Sequence, residues 1–294
     1  MIAFYHNFRQ TNHVRILNHL FKSCPIQEKM NYPTRDWGKN VRINQKADII
    51  VFAGIIRGEG NIYKWCVDRG KRFFYVDHAY LDRGYNYDGN DPANEWMRIT
   101  DSKFSWNRWD NRAEDRWEEF FAARHGKLSP WMSNKKAKNV LILPPSLATQ
   151  YLFPDSVSWL EQITRLVKRN TDRPIVIREK PLQTRLDANN EVINVERHDN
   201  GKTIEQDLED AYCVMTYNSA VAVQSIMRGI PTFSHNNGCG APVSFKISEI
   251  DNPPEPDRQG WLNQLVYHQF NTAEMIDGTV WNMLGISDED KKRR

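Results

Sequence analysis

Arg178 and Lys180 stand two residues apart in IVIREKP (Ile175 to Pro181), and Tyr217, Asn218 and Ser219 follow the apolar run Cys213-Val214-Met215. Cations just past one strand and a small polar turn opening a helix suit the same ligand, a diphosphate or phosphodiester. Asn218 or Ser219 can cap that helix, with Tyr217 and Gln224 as further candidates to contact that ligand; a capped core helix with no ligand is the alternative. Asp77 and His78 close the run RFFYVDHAY (Arg72 to Tyr80), where a carboxylate or imidazole can take the proton of a hydroxyl. A structural cap and a buried hydrogen-bonding histidine is the other reading of that pair. GIIRGEG (Gly54 to Gly60) has glycines that let a ligand approach the backbone closely, with Arg57 as an acceptor contact and Glu59 as a third acid/base candidate. It is neither GxGxxG nor a P-loop, which excludes an ATPase reading.

RITDSKFSWNRWDNRAEDRW (Arg98 to Trp117) alternates cations with flat rings, and Arg98, Trp106 and Arg108 in it are candidates for gripping a nucleic-acid strand or a sugar chain. Asp101, Asp110, Glu114 and Asp115 dilute that charge, so a solvated helix with buried tryptophans is the plainer reading.

Elements able to hold these groups recur along the chain. ADIIVFAGI (Ala47 to Ile55) is apolar throughout, as a strand covered on both faces must be. A helical spacing of Ile62, Trp65 and Cys66 and the strand RFFYVDHAY complete a βαβ unit. DNRAEDRWEEFFAARHG reads as an exposed helix closed by Gly126, and Leu128 to Asn139 as a linker. NVLILPPS opens a second set. It is followed by an amphipathic helix with Trp159, Ile163, Leu166 and Val167 on one face and Ser156 or Asp155 as its cap, then by RPIVIREKP, a short helix in TIEQDLEDAY, and the strand-helix-strand ending at Phe233. The expectation is an α/β protein of two Rossmann-like doubly wound domains facing across a cleft. Residues 1–130 would form the first domain and 139–260 the second. Helices in 261–294, including one from Trp261 to Phe270 and another capped by Thr272, would pack back on the sheet.

The composition is globular, with a formal net charge of +3, which permits a polyanionic partner without demanding one. Four cysteines without a CxxC pair argue against a disulfide framework or structural zinc and fit a reducing cytoplasm. No apolar run is long enough for a membrane span, and the start of the chain reads as a strand rather than a signal peptide.

The stretch from Asn139 to Phe233, with its Ser-containing turn, apolar helix and Gly229-Ile230-Pro231, resembles the nucleotide-sugar half of GT-B glycosyltransferases. Capsule-type transferases and teichoic-acid polymerases pair that turn with a basic-residue-Pro motif like Arg178-Glu179-Lys180-Pro181, many with His-Pro where this chain has Lys-Pro. The resemblance implies that Arg178, Lys180, Asn218 and Ser219 surround the phosphates of a UDP- or CMP-linked sugar. That sugar is a co-substrate, so no resident cofactor and no metal are expected, and the transfer would be inverting with Asp77 as base and His78 second. The DHAY and RGIP stretches and the tail are similar to proteins encoded by tailed phages. That similarity implies a hydroxymethylated pyrimidine in DNA as acceptor, with a capsule or surface glycan as the alternative. A non-catalytic nucleotide-sugar binding module or an epimerase-like enzyme are the readings outside the class.

Overall fold

A computed structural model describes residues 1–7, 11–34, 43–55, 59–82, 95–110, 113–180, 182–186, 192–196 and 201–286. The chain divides into two compact units, one of Met1–Phe104, Arg185–Ile193 and His268–Arg294, the other of Ser105–Thr184 and Asn194–Tyr267. The expected boundaries therefore move: the first unit stops near 104 rather than 130, and the end of the chain returns to it.

In chain order the elements begin with β1 (Ile2–Asn7), α1 (Thr11–Ser23), β2 (Lys29–Thr34), β3 (Ile49–Ala53), α2 (Glu59–Asp68), β4 (Arg72–His78) and β5 (Trp96–Asp101). Next come α3 (Asp115–Phe120), α4 (Ala122–His125), β6 (Asn139–Leu143), α5 (Leu147–Leu152), α6 (Trp159–Asn170), β7 (Ile175–Ile177), β8 (Leu182–Leu186) and β9 (Val192–Glu196). The remainder is α7 (Ile204–Glu209), β10 (Ala211–Thr216), α8 (Val221–Met227), β11 (Thr232–Ser234), α9 (Arg258–Leu265), β12 (Gln269–Asn271), α10 (Thr272–Asp277) and α11 (Thr279–Met283).

The first unit carries a six-stranded sheet in the order β12-β5-β4-β3-β1-β2. β1 to β4 run parallel, β5 pairs antiparallel to β4 at one edge, and β12 pairs antiparallel to β5, so it runs with the first four. β3 is buried at every residue, which explains its unbroken apolar sequence. Phe4, Val51, Phe74, Val76 and Ile99 pack on α1, α10 and α11, with Trp281 edge-on to Phe4 and Phe74. On the other face Phe52 meets Phe73 and Tyr75, both of which meet Tyr63 of α2, and Tyr75 stacks on Phe104. Each fully buried aliphatic or Phe side chain here contributes about 1.5–3 kcal/mol.

The second unit has a four-stranded parallel sheet, β11-β10-β6-β7, and β8 with β9 form a separate two-stranded sheet. Val140, Ile142, Cys213 and Met215 face Trp159, Ile163 and Val167 of α6, whereas Leu141, Leu143 and Val214 face Leu208 of α7 and Val221 of α8. Two apolar faces on each strand make this sheet doubly wound. No helix among the described residues is long and apolar enough to cross a membrane. All four cysteines are buried and none is in a disulfide, and burial pushes the Cys66 thiol up to about 12.

Several local expectations change. The helix expected to run through Phe121 breaks there into α3 and α4, although Gly126 closes the pair with φ +65°. Neither Asp155 nor Ser156 caps α6, because a 3-10 turn at Pro154–Val157 precedes it. The helix expected from Trp261 to Phe270 is α9, and Phe270 lies in β12. α10 is capped by Asn271, not Thr272, in a reciprocal capping box with Glu274.

Gly229 ends α8 with φ +72°, and a Cβ there would lie 2.3 Å from the Pro130 carbonyl oxygen. Gly229→Ala is expected to destabilise the chain by about 2–3 kcal/mol, from left-handed backbone plus a clash with backbone that has little room to yield. Urea denaturation checks this; a loss under about 0.5 kcal/mol would show that the 129–132 segment moves aside freely.

Candidate functional site

In the second unit β6 leads to β7 on one side, and β10 lies on its other side. The connections reverse between β6 and β10, and a doubly wound sheet opens its ligand crevice outside the carboxyl ends at that point. Ser146 and Thr149 follow β6, and Tyr217, Asn218 and Ser219 follow β10. Thr149 Oγ1 donates to Asn218 Oδ1 at 3.4 Å and lies 3.0 Å from Ser146 Oγ. Asn218 Nδ2 is buried and has no partner among the described residues. An unsatisfied amide donor at a switch point is the group a ligand's oxygen would accept from.

The rest of the turn is satisfied internally. Thr216 Oγ1 accepts from the Ser219 N–H at 3.0 Å, and Ser219 Oγ accepts from the Val221 N–H at 3.2 Å. Ala220, not Asn218 or Ser219, occupies the cap position of α8, which is only 7 residues long. Those two N–H groups are therefore already committed, and the expected grip of an anion by this helix start is weakened accordingly.

Asn237 and His235, which the sequence did not single out, complete the turn around Tyr217. Tyr217 is fully buried; its hydroxyl donates to Asp155 Oδ2 at 2.9 Å and accepts from Asn237 Nδ2 at 3.0 Å. Its ring stacks on His235 at 4.2 Å and 11°. Burial lowers the His235 pKa, with Asp155 pulling the other way, and its Nδ1 has no partner among the described residues. The loop SHNNG that holds them is pressed onto the turn: a Cβ on Gly238 would lie 2.3 Å from Ser234 Oγ and 2.9 Å from the Tyr217 carbonyl oxygen. The signal for this loop was its Gly/Asn composition, which marks a loop but not its partners.

Arg178 and Lys180 extend from β7, which β6 separates from β10, so about 10 Å divides their strand from the turn. Arg178 Nη1 donates to Asp207 Oδ2 at 2.5 Å and to the Lys202 carbonyl at 2.8 Å, and both side chains of the ion pair are largely buried. Its charge is thus balanced by α7. Lys180 and Gln224 are exposed.

In the first unit Asp77 and Arg98 face each other across β4 and β5 by register. The Asp77 carboxylate accepts from Arg98 Nη2 at 2.7 Å, from the Tyr75 hydroxyl at 2.5 Å and from the His78 N–H at 2.8 Å. The guanidinium lies 5.1–5.6 Å from the ring centres of Tyr75, Tyr80 and Phe104. Burial pushes the Asp77 carboxyl up, but Arg98, His78 and the hydrogen bonds outweigh it and hold the pKa at about 2. This corrects two expectations. A carboxylate so well satisfied has little affinity for a proton at neutral pH and makes a poor general base, and Arg98 is the buried counter-charge of Asp77 rather than an acceptor contact.

His78 is half-buried with its ring 6.1 Å from that of His13 at the start of α1. Glu59 is buried in the first turn of α2. Arg57 lies outside the described residues. The cation-aromatic stretch is also corrected: Phe104, Trp106 and Trp117 are buried, and Arg116, itself buried, donates to the Val266 carbonyl at 2.9 Å. Only Arg108 and Trp109 of its Arg and Trp side chains outside the undescribed pair 111–112 are exposed. Among the described residues no three His, Cys, Asp or Glu side chains gather to hold a metal ion.

No family model matches the chain, and no curated protein matches it. Two solved structures from Thermosulfurimonas dismutans are similar to it overall: KpsC, beta Kdo 2,4 transferase, and KpsC, beta Kdo 2,7 transferase. Each is 10% identical with a TM-score of 0.48, over 95% of this chain and 97% and 98% of theirs respectively.

Proposed function

We propose that the chain is a glycosyltransferase of the GT-B class that takes a nucleotide sugar, UDP- or CMP-linked, on its second unit and passes the sugar to a saccharide hydroxyl held by the first. The observation that carries this reading is the switch point of the doubly wound second sheet, where Asn218 Nδ2 is buried without a partner beside Thr149. There Asn218 and the Ser146–Thr149 hydroxyls hold the donor, with exposed Lys180 reaching its phosphates from β7. Arg178 acts by holding Asp207 and the start of α7. The leaving diphosphate is stabilised by these fixed donors as its charge develops, with no metal required. His78, rather than Asp77, takes the acceptor proton, with inversion at the sugar carbon.

A saccharide acceptor is preferred to DNA because the rings and cations that favoured DNA are largely buried. Incubation with UDP- and CMP-sugars should raise the melting temperature for one donor class, and Asn218→Ala should weaken that donor about tenfold by removing its amide contact. His78→Gln should abolish transfer to a glycan primer while leaving the melting shift intact. Absence of a shift with every donor at millimolar concentration would sink the reading, and a shift without transfer would point to a binding module.

A further inference from the structure

We propose a second ligand site in the second unit, a pocket for a small phosphomonoester at the amino-terminal end of its sheet. It lies against the starts of β10 and β11, whereas the candidate donor turn lies past their carboxyl ends. The cavity measures about 240 Å³, and Lys135, Arg173 and Arg228 line it with no carboxylate among the lining residues.

The three cations are not equivalent. Arg173 donates through Nε to Asp251 Oδ1 at 3.2 Å and lies flat on Tyr212, 3.3 Å from the ring centre. It is therefore balanced and fixed, and it forms a wall. The side chains of Arg228, half-buried, and Lys135 make no hydrogen bond or ion pair with any described residue. Two unbalanced cations over one cavity favour a ligand of charge about −2, which a phosphomonoester carries near neutral pH.

The cavity is built rather than incidental. Met132 sits at φ +47°, a conformation a non-glycine residue holds only when its surroundings impose it. The Met132 N–H donates to the Gly229 carbonyl at 2.8 Å, and Asn134 Nδ2 donates to the Glu209 carbonyl at 2.6 Å. These bonds pin the 132–137 segment as a rim, so that Lys135 and Arg228 line the same cavity. The volume equals that of about eight waters, room for a phosphate with a small polyol attached.

The site does not depend on the transferase reading. Calorimetric titration of the full chain with glucose 6-phosphate, inorganic phosphate and glucose tests it. The phosphate compounds should bind, more weakly at high ionic strength, and glucose should not. Arg228→Gln and Lys135→Gln should each weaken binding about tenfold, whereas Arg165→Gln, which removes an exposed cation on α6, should not. Lys135 is exposed, so its variant keeps the test valid if Arg228→Gln folds poorly. Equal affinity for inorganic phosphate and the sugar phosphate would support the anion site and show that the polyol adds nothing. Binding that survives both pocket variants unchanged would place the phosphate elsewhere, and no binding would remove the site; either result overturns the proposal.

Discussion

Asp77→Asn is expected to destabilise the chain by about 3–5 kcal/mol, the usual penalty for leaving one member of a buried ion pair without its counter-charge. Asparagine keeps the shape, but the Arg98 guanidinium, 7% exposed among aromatic rings, would lose the charge that balances it. The wild-type chain should show the same dependence as acid sensitivity. The folded carboxyl titrates below its unfolded value, so its stabilisation is fully present above pH about 4 and is lost as the pH falls towards 2. A drop from 3.8 to about 2 is worth roughly 2.5 kcal/mol. Urea melts at stepped pH values would reveal this slope, and Asp77→Asn should flatten it. Arg98→Met added to Asp77→Asn should recover much of the loss, since a neutral pair leaves no buried charge. A single variant as stable as the parent would mean that water reaches Arg98 and the pair is not buried in solution.

Arg178→Met is the second large effect, about 3 kcal/mol or more, for the mirror-image reason. Here the buried charge that loses its Arg178 counter-charge is Asp207, with a side chain 3% exposed, and the methionine cannot replace the donation to the Lys202 carbonyl. The outcome separates two roles. A residue that only grips donor phosphate would lose binding and leave the urea midpoint where it was. A residue that ties α7 to the end of β7 would move the midpoint first. Lys180→Gln, at an exposed site, should leave stability within about 0.5 kcal/mol and change donor binding alone.

Strand positions were readable wherever burial on both faces forces an apolar run, as in β3, β6 and β10. α6 was readable from its apolar stripe, and the turn after β10 from its abrupt polarity. β5 and β12 were hidden because WMRITD and QFN carry charged and polar residues into buried positions. Arg98 and Gln269 earn those places through partners far along the chain: Asp77, and the Tyr80 and Leu81 N–H groups that Gln269 accepts at 3.0 Å. Spacing within a window cannot show such pairings. The same limit explains the candidate site. Asn218 and Ser219 could be found from local pattern, whereas the joining of Tyr217 to Asp155, Asn237 and His235 depends on three loops meeting. Arg178 and Asp77 were found as chemistry-bearing groups, but whether a charge is spare or already matched is decided by tertiary neighbours.

The last strand also dictates when the molecule can be completed on the ribosome. β12 joins β5 across more than half the chain, while Ser23 Oγ in α1 waits to donate to the Met275 carbonyl at 2.6 Å. Nascent residues 1–104 must therefore hold an unclosed sheet edge until residues 269–271 have emerged, although most of the intervening unit could already have condensed. Chains released early, near 267, should be the aggregation-prone species, and a chaperone that shields β5 would have its greatest effect in that interval.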